Sequence, residues 1–226
     1  GGRVIAPDFF GFGRSDKPVE DSAYTFGFHR GSLTAFIEKL GLGSFTLVVQ
    51  DWGGLLGLTL PVGYADRIDR LIVMNTAIAT GMHPGKGFLA WRDYCLSTPD
   101  LDVGGLMERA IPNLSAEDAA AYDAPFPSAE YKAGVRTFPA LVPITEEMEG
   151  AAMGKEAAMF WMGAWDRPSF MAIGMQDPVL GPKVMKMLHS IIKGCPPPLE
   201  LAEAGHFVQE SGEEVARAAL AHFASA

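Results

Sequence analysis

The chain has 226 residues, 48% of them hydrophobic, and a formal net charge of −9 from 18 Lys and Arg against 27 Asp and Glu. That is enough apolar chain for one α/β domain with a sizeable core, and the acidic balance excludes nucleic acid and anionic membrane surfaces as expected partners, because both need basic patches. No apolar run reaches the length of a bilayer span, and two scattered cysteines, Cys95 and Cys195, fit free thiols in a cytoplasmic protein better than a disulfide framework.

In chain order, Arg3 to Pro7 reads as a short buried strand, so the chain starts mid-fold, without Met or a signal-peptide pattern. A loop punctuated by Gly11, Gly13 and Pro18 follows. Its Gly11-Phe12-Gly13-Arg14-Ser15 stretch lacks the lysine and helix of a phosphate loop. Phe28, Leu33, Phe36, Ile37 and Leu40 recur at helical spacing until Gly41. Phe45 to Val49 is a strand, about Gly53 to Tyr64 a helix that Pro61 ends or kinks, and Arg70 to Met74 a third strand.

Strands alternating with helices predict an α/β fold with a mostly parallel sheet covered on both faces. The alternation lapses from 78 to 166. Short amphipathic pieces separated by prolines predict a helical cap there, with Ser115 capping an acidic first turn. Met148, Met153, Met159 and Met162 are expected to pack. Alternation resumes with a strand from Pro168 to Gly174, a helix from Pro182 to Ile192, a short strand from Leu199 to Leu201 and a closing helix from Glu213 to Phe223. The predicted organisation is a core in two parts, 1–77 and 167–226, around the cap at 78–166.

Three polar residues fall at C-terminal strand ends, where open α/β sheets place ligands: Asp51, Asp177 and His206. Val48-Val49-Gln50-Asp51-Trp52-Gly53-Gly54 has the strand–turn–helix context of a nucleophile elbow, with a carboxylate where most such turns carry serine. Nucleophile, acid, histidine is the order of the α/β-hydrolase triad. A carboxylate needs no base to attack carbon, but the resulting ester needs water, and a histidine of near-neutral pKa suits that second step. Asp177 would accept the other ring N–H of His206. Indole N–H groups are donors only, so Trp52 and Trp91 together would suit a departing halide, with Trp161 and Trp165 as rivals to Trp91. Taken singly, each residue has a plainer reading: Asp51 as a helix cap, Trp52 as core packing, His206 as a surface histidine. His29, His83, His189 and His222 have no partner pattern, and Cys95 reads as a small core residue.

The chain resembles the haloalkane dehalogenases of the α/β-hydrolase superfamily, in the 1,2-dichloroethane-type subfamily with an Asp–His–Asp triad and a Trp–Trp halide site. The resemblance is carried by Val4 to Gly13, Val48 to Gly54, Gly87-Phe88-Leu89-Ala90-Trp91, Phe170 to Met175 and Ala204 to Glu210. It implies Asp51 as nucleophile, His206 as base, Asp177 as its partner, Trp52 and Trp91 as halide ligands, and Phe88 and Leu55 in the substrate pocket. It also implies a small halogenated substrate and a halide ion as partners, no metal and no organic cofactor. A cytoplasmic monomer is expected. Leu55 replaces a pocket phenylalanine, and the segment from Thr80 to Phe88 is short for the subfamily. The family's N-terminal strands, with their second oxyanion donor, would precede Arg3, so the chain as given is expected to be unstable or inactive alone.

Rival readings remain at this level. An epoxide hydrolase shares the Asp nucleophile and needs cap tyrosines as acids, for which Tyr94, Tyr122 and Tyr131 are candidates. A fluoroacetate dehalogenase wants arginines near the nucleophile, where Trp52 stands. A non-catalytic α/β-hydrolase-fold binding protein is the alternative from another class.

Overall fold

A computed structural model describes residues 2–225. Four parallel strands form one sheet in sequential order: β1 (Phe45–Val49), β2 (Ile68–Met74), β3 (Ser169–Gly174) and β4 (Leu199–Leu201). The register sets Val49 beside Val73, Val73 beside Met171 and Gly174 beside Leu201. Because all four strands run the same way, the residues that follow them emerge along one edge of the sheet.

The helices are α1 (Phe26–Lys39), α2 (Asp51–Gly57), α3 (Pro61–Tyr64), α4 (Lys86–Ser97), α5 (Val103–Ala110), α6 (Ala116–Asp123), α7 (Ala133–Leu141), α8 (Ala151–Gly163), α9 (Pro182–Ile191) and α10 (Gly212–Ser225). Local chemistry sets their ends. Thr25 caps α1 by accepting from the Phe28 N–H, Asp102 caps α5, and Ser115 caps α6 as its sequence predicts. The helix expected over 53–64 breaks at Leu58, and Pro61 starts the short α3.

Alternation along the strands divides the core. Leu47, Val49, Leu71, Val73, Met171 and Ile173 face Leu58, Leu60, Trp161, Trp165, Met185 and Leu188. Met74, Phe170, Ala172 and Leu201 face Val208, Val215 and Ala219 on the other side. All six residues of β3 are buried, as expected of a strand covered on both faces. At about 1.5–3 kcal/mol per fully buried large apolar side chain, this sandwich dominates the stability. Trp161 and Trp165 put the end of α8 and the turn after it into the main core.

Two expectations are corrected. Arg3 to Pro7 forms no strand, and Val4 is 91% exposed. A parallel strand needs a neighbour, and among the described residues β1 pairs with β2 alone. Met159 and Met162 are exposed on α8 instead of packed. Among the described residues, no helix is long and apolar enough to cross a membrane.

Candidate active site

The turn after β1 is built around Asp51, whose φ of +44° is rare for a residue with a side chain. Such backbone typically costs on the order of 1–3 kcal/mol and persists only where its surroundings enforce it. Here the Asp51 N–H donates to the Asn75 carbonyl at 3.0 Å, and the Thr76 hydroxyl donates to the Asp51 carbonyl at 2.7 Å. The following helix must also pass close to Thr76: a Cβ on Gly54 would lie 2.0 Å from its Oγ1. The sharp turn therefore follows from strand β1, the polar end of β2 and a glycine at 54. Asp51 is the first residue of α2 and Gln50 is its N-cap, without a side-chain capping bond. The plain reading of Asp51 as a cap is set aside.

The parallel sheet brings the three predicted residues together. His206 Nε2 lies 3.5 Å from Asp51 Oδ1, and His206 Nδ1 lies 2.7 Å from Asp177 Oδ2. The Asp177 carboxylate is buried and fully engaged. Its Oδ1 accepts from the N–H groups of Val179 and Leu180 at 2.8 and 3.0 Å, and its Oδ2 also accepts from the Asn75 amide at 2.9 Å. Burial works against its charge, but the bond and charge of His206, with Asn75 and the Val179 N–H, outweigh it and lower the pKa. At His206 burial again opposes the charge. Hydrogen bonds and charges from Asp177 and Asp51 outweigh it and raise the imidazole to about 10.

Two residues escaped the sequence reading. Asn75 is fully buried, and besides Asp177 it exchanges two hydrogen bonds with the Gly174 backbone at 2.9 and 3.1 Å. It follows the last residue of β2, so the strand-end signal that found Asp177 was available for it too. Gln50 donates its side-chain amide to the His206 carbonyl at 3.0 Å. No sequence pattern distinguishes it from an ordinary polar residue before a turn.

The tryptophans separate into two kinds. The Trp161 N–H donates to the Leu58 carbonyl and the Trp165 N–H to the Ser169 hydroxyl, both at 2.8 Å, and both rings are buried in the core. Neither donor is free for a ligand. Trp52 rests edge-on against Phe138 of α7 and near Phe26. Trp91 stands partly exposed on α4, beside Tyr94, and α4 packs on α7. Leu55 is buried one turn beyond Asp51, and Phe88 is half-buried on α4. The N–H of Trp52, in the first turn of α2, lacks an acceptor inside the helix and is available to an anionic oxygen.

Other prominent features resolve as structure. The loop at 11–15 closes on its own carboxylate: Asp8 accepts from the Arg14 N–H, and a Cβ on Gly13 would sit 2.3 Å from its carboxyl carbon. No phosphate cradle remains. Both cysteines are free and pushed up to about 12 by burial, away from nucleophilic use. Tyr122 gives its hydroxyl to Glu210, while Tyr94 and Tyr131 are exposed.

Comparison with known proteins gives the fold and the family. A family model described as alpha/beta hydrolase fold matches residues 1–213. Haloalkane dehalogenase 1 of Mycobacterium tuberculosis is 40% identical over 224 residues, covering 97% of this chain and 74% of that protein. The haloalkane dehalogenase of Psychrobacter cryohalolentis is 39% identical over 222 residues, covering 96% and 73%. Among solved structures, the tetrameric haloalkane dehalogenase DpaA from Paraglaciecola agarilytica superposes with a TM-score of 0.93 at 50% identity, covering 95% of this chain and 72% of that one.

Proposed function

The chain belongs to the haloalkane dehalogenases of the α/β-hydrolase fold, and from that premise we propose that it hydrolyses short haloalkanes through a covalent ester on Asp51. The observation that carries this reading is the strained turn that presents Asp51 3.5 Å from His206, itself 2.7 Å from Asp177. The residues at 78–166 serve as the cap over this edge, on a core of 1–77 and 167–226.

In the first step an Asp51 carboxylate oxygen forms a bond to the halogen-bearing carbon, and halide leaves with the bonding electrons. The indole N–H groups of Trp52 and Trp91 receive it, an assignment supported by the engagement of Trp161 and Trp165 elsewhere. Phe88 and Leu55 contribute apolar walls. In the second step His206 Nε2 takes a proton from water, and the hydroxide adds to the carboxyl carbon of the ester. The resulting oxyanion is met by the Trp52 backbone N–H. Collapse expels the alcohol and restores Asp51, and His206 is left protonated, as in the resting enzyme.

Charge bookkeeping in the site makes the order self-consistent. In the resting enzyme two carboxylates hold His206 protonated at neutral pH. Alkylation removes the charge of Asp51, so His206 holds its Nε2 proton less strongly, releases it to solvent and becomes available as a base when the ester needs one.

Two free thiols support a reducing, cytoplasmic setting, and a triad drawn from one chain supports function as a monomer, although one solved relative is a tetramer. The direct test is halide release from short chloro- and bromoalkanes, run beside epoxide opening. Halide release with no diol from epoxides is expected. The reverse would place the protein with the epoxide hydrolases, against which the Tyr122–Glu210 bond already counts. Trp91→Phe should weaken bromide binding, and unchanged bromide affinity would remove Trp91 from the halide site.

A further inference from the structure

We propose that Gln50 is a positioning residue for His206, holding the loop of the base and presenting an amide N–H to the ring nitrogen that takes the proton from water. The proposal rests on the two-step ester reading and concerns its second step alone. A backbone carbonyl only accepts, so the contact of 3.0 Å to the His206 carbonyl fixes the NH2 end of Gln50 toward the histidine. The same nitrogen lies 3.5 Å from His206 Nε2.

The rest of the site determines what that contact does. Asp177 accepts from Asn75, Val179 and Leu180 and is held ionised, so His206 Nδ1 carries a proton directed at it. Nε2 is then the atom that gains and loses a proton. Among the described residues two side chains face it: the Asp51 carboxylate at 3.5 Å, which favours Nε2 protonated, and the Gln50 amide, which favours Nε2 unprotonated. Glu210, on the turn beyond His206, is occupied by Tyr122 of α6. Once Asp51 is esterified its charge is gone, and the Gln50 donor remains beside the neutral, basic imidazole. Gln50 thereby biases His206 toward the form that ester hydrolysis requires.

Rapid-quench kinetics of the full chain with 1,2-dibromoethane separate alkylation, read as the halide burst, from hydrolysis, read as alcohol. Gln50→Met keeps the bulk and removes the donor. It should leave the burst rate within about threefold and slow hydrolysis by about tenfold, less than the ~10²–10⁴-fold from losing a general base. Gln50→Glu sets a carboxylate beside Nε2 and should move the pH midpoint of hydrolysis upward by about one unit. A purely structural role would slow both steps together or leave the midpoint in place, and either result overturns the proposal. Should Gln50→Met fail to fold, the midpoint of Gln50→Glu decides alone. A wild-type chain without any halide burst overturns the underlying ester reading, whereas a normal wild-type burst with unaltered Gln50 variants overturns only the role of Gln50.

Discussion

Two histidines in this chain are pushed in opposite directions by their surroundings. His29 is fully buried on α1 among Phe9, Tyr24, Phe28 and Phe138, and neither ring nitrogen has a partner among the described residues. Burial lowers it to about 4. Unfolding returns it to an ordinary value near 6.5, so the unfolded chain binds the extra proton and stability falls as pH drops from about 6.5 to about 4. The loss is about 3 kcal/mol at most, at about 1.4 kcal/mol per unit. His206, raised to about 10, behaves oppositely: its contribution is complete below about 6.5 and is lost as pH rises toward 10. Melting temperature should therefore peak near pH 6.5, and His29→Phe should flatten the acid limb while leaving the alkaline limb. An acid limb unaltered by His29→Phe would contradict the assignment. Asn75→Ala would leave the buried Gly174 N–H without its acceptor and remove one of the donors to Asp177. It should cost about 1–3 kcal/mol in chemical denaturation.

At the level of elements, the elbow is where sequence and packing agree most closely. The abrupt stop of Phe45–Val49 at Asp51, with two glycines after it, is visible in the residue order. What the order does not reveal is why Gly54 is needed: Thr76, far along the chain, occupies the space a methyl would take. Gly54→Ala should destabilise by about 1–3 kcal/mol through overpacking and abolish turnover by displacing Asp51, measured as melting temperature and halide release. Strands β1 to β4 were legible because their apolar runs are short and bounded by turn residues. Arg3 to Pro7 has the same local look, but strand formation is decided by a neighbour, which local pattern does not encode. Likewise Trp161 and Trp165 leave the choice among four tryptophans because their N–H groups are bonded in the core, a tertiary fact. Asn75 and Gln50 were hidden for the same reason, since their roles lie in contacts across the sheet.

On the scale of the whole molecule, the chain spans about three quarters of the length of the dehalogenases it matches. Among the described residues β1 pairs with β2 alone, and Val48 of β1 is 56% exposed. The central claim is that catalysis passes through an ester on Asp51 which His206 clears. It is tested most directly by incubating His206→Gln with 1,2-dibromoethane and mapping the product by peptide mass spectrometry. One alkyl group per chain, on the peptide bearing Asp51 and accompanied by about one equivalent of bromide, is the predicted result. Bromide release without an adduct, or an adduct on another residue, would contradict it.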